Sequence, residues 1–368
     1  MVEIGVLALR LALIGGLYAV LAAIFGAQAR RPALVRSSRQ AAYAVHVLVA
    51  TAALVLWHAL VTRDFSLEYV ASYSSSTLAL PYRIAALWGG QAGSLLFWVL
   101  ILTTMSTIVH LQNRERNEAL MPYVTATLMT IAAFFLALLV FITGPFERLP
   151  VPAIEGADLN PLLQNYWMMI HPPSLYLGYV GCSVPFAFAI AALATGRLGD
   201  VWIRTTRRWT LFAWFFLSVG NILGARWAYE ELGWGGYWAW DPVENAAFLP
   251  FLTASAYVHS VMIQERRGLL KMWNVTLICL TFFLTIFGTF LTRSGAIASV
   301  HSFAQSSIGT YFVWFLVILV AFAFTLVMYR WPELRNVPGT RRLRTATLVT
   351  GWFMILVVAP GVVAISKL

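Results

Sequence analysis

The feature that most constrains this chain is a series of unbroken apolar runs, each long enough to cross a bilayer. A helix needs ~20 consecutive apolar residues to span the hydrocarbon core. By that measure about ten spans are expected, near 3–29, 39–62, 88–111, 120–143, 172–195, 209–226, 246–263, 272–291, 310–329 and 346–366. Only 11% of the residues are charged, against about 25% in an average soluble domain, so there is little charge to solvate a surface. Spanning strands would alternate apolar and polar residues over ~10 positions, whereas these runs are continuous. The expected fold is an all-α, polytopic helical membrane protein, a single transmembrane domain over residues 1–368. The first run is too long for a signal peptide, and no small-residue cleavage site follows it.

The net charge is +10, and its placement is more informative than its size. Arginines crowd alternate loops: Arg30, Arg31, Arg36 and Arg39; Arg197, Arg204, Arg207 and Arg208; Arg266 and Arg267 with Lys271; Arg335, Arg341, Arg342 and Arg344. The positive-inside rule puts these loops in the cytoplasm. The amino terminus then lies outside, with the loops near 63–87, 144–171, 227–245 and 292–309, while QNRERNEA at 112–119 is close to neutral. Basic residues that flank spans mark topology, so no nucleic-acid partner is expected. Cys182 and Cys279 each fall inside a span and form no CxxC, which reads as two buried thiols and neither a disulfide nor a redox pair.

The outside loops carry aromatic, proline and glycine residues in place of solvating charge. The most unusual is WGGYWAWDPVEN, Trp234 to Asn245. Indoles offer wide flat faces with one N–H each, and Gly235 and Gly236 let backbone approach a ligand closely. Trp209 and Trp227, each beside a helix end, read as an interfacial belt. Trp234, Trp238 and Trp240, clustered around the glycine pair, read instead as a platform for a large planar ligand. Asp241-Pro242 turns the chain, and Asp241-x-x-Glu244 has the form of a capping box.

WGGYWAWDPVEN resembles the tryptophan-rich WWD segment of haem-handling proteins in cytochrome c maturation, which include the CcmF, CcmC and CcsA types. YRIAALWGGQAGSLLFW, NPLLQNYWMMIHPPSLYLGYVG and TFLTRSGAIASVHSFA resemble further segments of the CcmF type, so the likeness covers most of residues 80–305. It implies a subunit of a cytochrome c haem lyase, corresponding to the amino-terminal portion of such proteins, in a bacterial inner membrane with the ribbon facing the periplasm or exterior. The implied cofactor is haem b. The implied partners are apocytochrome c, a haem-delivery chaperone and thiol-handling subunits of the CcmH type.

Topology alone puts His171, before Pro172-Pro173 at the start of the fifth helix, and His301 on the same side as the ribbon. As ligands or as ordinary loop histidines they are evenly balanced; the resemblance implies that they are the axial ligands of a haem held at the ribbon. His259 lies near the inner end of the seventh helix, where an ionisable residue is costly and points to function. The resemblance implies a ligand of a second, intramembrane b-type haem, which would keep the first reduced. No histidine follows His301, so its partner ligand comes from another subunit or from chain beyond this one. Phe251 stands where the family commonly has Trp. His46, His58 and His110 read as packing or interfacial residues. Haem propionates need cationic or N–H donors; Arg226 and Arg293 are the better candidates, with Arg83 third. Asp241 reads as a contact to haem or as an orienting group. Two other readings remain open: a haem-transfer or export protein without ligation chemistry, and a solute transporter with aromatic outer loops.

Overall fold

The computed structural model describes residues 1–297, 299–301 and 307–335, and the tenth predicted span lies outside them. The nine other predicted spans are all present as helices long and apolar enough to cross a membrane. In chain order the helices are α1 Val2–Gln28, α2 Pro32–Thr62, α3 Glu68–Tyr73, α4 Leu80–Gly89, α5 Gln91–Gln112, α6 Met121–Phe141, α7 Tyr166–Gly181, α8 Ser183–Thr195, α9 Val201–Glu231, α10 Pro242–Arg267, α11 Lys271–Ser294, α12 Ile308–Tyr329 and α13 Trp331–Leu334. Among the described residues, β pairing is confined to one antiparallel bridge, Leu67 to Arg148. The chain divides into two compact units, Met1–Pro173 with Arg226–Gly233, and Ser174–Ala225 with the residues from Trp234 onward.

In the first unit α1 packs on α2 and α6, and α5 on α2 and α6. Trp98 of α5 is fully buried and stacks on Phe135 of α6 at 3.9 Å. Three of the loops predicted to share a side are tied together here. Glu68 N donates to Glu147 O and Leu149 N to Ser66 O, both at 3.0 Å. The Trp227 indole donates to Leu162 O at 2.9 Å. Trp227 is 1% exposed, so the belt assignment fails for it: its N–H finds a loop carbonyl and its ring is covered by protein.

In the second unit the stretch of α7 from Ser174 lies against α9 through small residues. A Cβ added to Gly178 would sit 2.6 Å from Leu217 N, and one on Gly220 would sit 2.8 Å from Leu175 Cα. Lipid gives no hydrophobic drive to helix pairing, so close backbone approach at small residues supplies the contact. A core of Tyr179, Cys182, Ala213, Leu217, Ala247 and Ala254 fills the space beyond. Cys182 and Cys279 are both free and buried, as expected. Phe186 of α8 stacks on Phe282 of α11 at 4.2 Å.

Candidate functional site

The ribbon is an irregular segment that ends where α10 begins. Asp241 caps that helix, accepting from Val243 N at 3.0 Å, with Pro242 in the first turn and a complete capping box. The buried Glu244 carboxylate reaches back to Asp241 N at 3.1 Å and Ala239 N at 3.2 Å. Asn245, also buried, donates to Trp240 O at 2.9 Å. The polar half of the motif therefore folds under the aromatic half and holds its backbone. That hold is needed, because Trp240 has φ +60°, a left-handed conformation that is an outlier for a bulky side chain.

The indoles are unequally covered. Trp240 is 55% exposed, while Trp234 and Trp238 are half-buried. Gly235 has φ +71°, which accounts for its lack of a side chain. A Cβ would meet no atom within 4 Å at either glycine. At Gly236 neither a left-handed backbone nor a close neighbour accounts for the missing side chain.

His301 joins the ribbon within the second unit. Its ring lies 6.4 Å from the Trp234 ring, centroid to centroid, and its Nδ1 is 3.2 Å from Asp241 Oδ2. Ser299 closes the arrangement, its hydroxyl donating to Asp241 Oδ2 at 2.7 Å and accepting from His301 N at 3.0 Å. Burial pushes the Asp241 carboxyl up, but hydrogen bonds from His301, Ser299 and Val243 N, with the His301 charge, outweigh it and hold the group below its usual value. An ionised carboxylate only accepts. Nδ1 of His301 therefore carries a hydrogen, and in the neutral ring the lone pair is on Nε2.

From the ribbon a file of aromatic rings follows α10. Trp238 meets Trp240 edge-on at 6.1 Å and Phe248 at 5.7 Å; Phe248 stacks on Phe251 at 5.5 Å, and Phe251 on Trp214 at 6.0 Å. Phe251 thus presents an aromatic face to both neighbours. The Trp214 indole donates to Ser255 Oγ at 2.8 Å. His259, one turn further on and exposed on α10, has Nδ1 2.8 Å from Ser255 O. A carbonyl can only accept, so here too Nδ1 is the protonated nitrogen.

The other candidates fall as follows. His171 is half-buried and belongs to the first unit. It does not precede its helix, as the double proline suggested: α7 begins at Tyr166, and Asn165 supplies the cap, accepting from Trp167 N at 2.7 Å. Pro172 and Pro173 sit inside the helix, where their missing N–H groups leave two carbonyls a turn earlier without helical donors. Arg226, in the first unit, is 2.8 Å from Glu230 and lies over the Trp167 and Tyr229 rings, each at 5.6 Å. Arg293 is in the last turn of α11 rather than in the following loop, is 2% exposed, and donates to the Tyr176 hydroxyl at 2.7 Å. Arg83 donates to Val61 O at 2.6 Å.

Some signals resolve into packing. Gly90 and Gly93 of WGGQAGS lie hard against Tyr73 and Tyr69, leaving no room for a Cβ. The Tyr69 hydroxyl accepts from Gly90 N at 3.1 Å across the break between α4 and α5. His110 is buried, with Nε2 2.8 Å from Thr125 Oγ1, and His46 Nδ1 lies 3.2 Å from Thr103 Oγ1. The reading of the sequence did not single out Ser299, Asn245 or Tyr176. A hydroxyl two residues before His301 was the only hint of the first.

Comparison with known proteins identifies the family. A family model described as Cytochrome C assembly protein matches residues 88–298. The chain is 38% identical over 368 residues to the cytochrome c-type biogenesis protein CcmF of Haemophilus influenzae, covering 100% of this chain and 57% of that protein. It is 42% identical over 337 residues to CcmF of Escherichia coli, covering 91% of this chain and 52% of the relative. A solved structure of a protein named cytochrome c heme lyase CcmF matches with a TM-score of 0.81 at 34% identity, over 98% of this chain and 56% of that one. The chain spans about half the length of the relatives it matches. It belongs to the cytochrome c assembly protein family and, within that family, to the CcmF type.

Proposed function

We propose that this chain holds haem b as a substrate at the tryptophan ribbon and presents it to apocytochrome c for thioether formation. The supporting observation is that Asp241, Ser299 and His301 are joined by hydrogen bonds directly beside Trp234. The surroundings suit a flat macrocycle: exposed and half-exposed indoles, open space over Gly236, and an imidazole whose Nδ1 is engaged by Asp241. Trp234, Trp238 and Trp240 are the proposed platform and Gly235 and Gly236 its close-approach points. His301 is one axial ligand. His171 is the other, an assignment that rests on sequence resemblance alone. Arg226 and Arg293 are proposed as propionate partners on the same basis.

Haem supplies the reactive vinyl groups. Each thiol of a CxxCH segment adds across one vinyl double bond, its sulfur bonding to one carbon and a proton going to the other, with no net oxidation. The buried Cys182 and Cys279 take no part. The contribution of this chain is orientation and proximity: it fixes the ring while the incoming histidine of the cytochrome displaces a holding ligand. His259 is proposed as a ligand of a second b-type haem. The setting is a bacterial inner membrane with the ribbon outside, and a haem chaperone and thiol-handling subunits are the other partners.

The test is covalent haem on a CxxCH reporter when this chain is expressed with the remaining maturation subunits. Wild type yields haem that survives denaturing electrophoresis, and a Trp234→Ala, Trp238→Ala, Trp240→Ala triple variant does not. Transfer of haem to a carrier without any thioether product would establish the export reading instead.

A further inference from the structure

The acidic residue of the ribbon has a role that helix capping does not explain. Ser, Asn and Asp serve almost equally well as N-caps, yet Asp241 uses one oxygen for three groups: Val243 N, the Ser299 hydroxyl and His301 Nδ1. Two of those groups belong to a segment about sixty residues further along. An imidazole presents one nitrogen as donor and the other as acceptor, and the partner of the first decides which nitrogen is free to bind a metal. Ser299 bonds both the carboxylate and the His301 amide, so ring and backbone are held together. The Trp234 ring lies alongside.

We propose that Asp241 is a positioning residue for His301: with Ser299 it fixes the Nδ1–H tautomer before haem arrives and leaves Nε2 as the ligating atom. The same bracket ties the start of α10 to the segment carrying His301, so platform and ligand keep one geometry. Carboxylate acceptance also makes the imidazole a stronger donor to iron, which favours the ferric state. This inference rests on the haem-binding reading of the ribbon, and its test separates the two.

Asp241→Ser is the informative variant, because serine retains the cap while its short neutral hydroxyl withdraws from His301. Selectively 15N-labelled histidine in the haem-free, full-length protein, with the His301 signal identified by its loss in His301→Gln, reports the tautomer directly. The expected result is Nδ1–H in wild type and a shift towards Nε2–H in Asp241→Ser. Titration with ferric protoporphyrin should then show affinity about 10–100-fold weaker in the variant and a higher reduction potential, at a thermal midpoint close to wild type. An Nε2–H tautomer in wild type overturns the proposal without reference to haem, and so does a variant that loses affinity with its tautomer and potential unchanged. If wild type shows Nδ1–H but binds no porphyrin, the haem reading fails and the ligand-positioning role falls with it. Should Asp241→Ser not fold, the wild-type tautomer still decides.

Discussion

Nδ1 of His301 and Oδ2 of Asp241 lie 3.2 Å apart although sixty positions separate them in the chain. The contact joins the turn that starts α10 to the loop that follows α11. It makes the ribbon's acidic residue part of the proposed haem site as well as part of a helix cap, so substitutions nearby are expected to have separable effects on stability and on haem.

Trp240 provides one such separation. Its left-handed backbone costs roughly 1–2 kcal/mol for a residue with a Cβ, and its ring is more than half exposed. Trp240→Gly should therefore unfold no earlier than wild type in a thermal melt in detergent, while retaining less haem on purification. A marked fall in melting temperature would show that the indole is held by packing.

Two glycines should behave in opposite ways. Gly178→Ala drives a Cβ to 2.6 Å from the backbone at Leu217, and overpacking of this kind costs about 1–3 kcal/mol. Gly236→Ala meets only open space and should leave the melt unchanged while weakening haem retention. Thermal unfolding and haem content, measured on both variants, check the pair.

Arg226 is ion-paired with Glu230 in a partly exposed setting, where such pairs contribute about 0–1 kcal/mol. Arg226→Ala should shift stability by no more than about 1 kcal/mol. A loss of haem much larger than that, seen by absorption titration, identifies a propionate contact; unchanged affinity assigns the arginine to its local ion pair and aromatic contacts.

Glu155 gives the loop around Ser76 a local acid sensitivity. Hydrogen bonds from the Ser76 hydroxyl and amide and from Gly156 N hold its carboxyl below the usual value. A depressed carboxyl stabilises the contacts it makes above its unfolded value, and that local contribution is lost as pH falls through the lower folded value. Protection of the Ser76 amide, normalised for intrinsic exchange, should be full at neutral pH and fall in acid as the carboxyl protonates, at a pH below its unfolded value. In Glu155→Gln it should be low throughout. Protection independent of pH in wild type would contradict this.

Much of the fold was legible because lipid imposes length and continuity on apolar segments: the nine described spans appear where the hydropathy puts them. Helix ends were harder. The start of α7 was missed because Asn165 caps it and the prolines lie inside, whereas Asp241-Pro242 marked the start of α10 correctly. Glycine-rich and tryptophan-rich stretches looked alike in sequence. Only the structure separates Gly93, filled by Tyr69, from Gly236, which faces open space. The Asp241–His301 contact was invisible because nothing in local spacing relates residues on opposite sides of two helices.

The most direct test of the central claim is the absorption spectrum and haem content of the purified protein, after reconstitution with ferric protoporphyrin, for wild type beside His171→Ala, His301→Ala and His259→Ala. The account predicts a low-spin spectrum whose ribbon-site component disappears in both His171→Ala and His301→Ala and persists in His259→Ala. Haem that binds equally well to wild type and to both of the first two variants would contradict it.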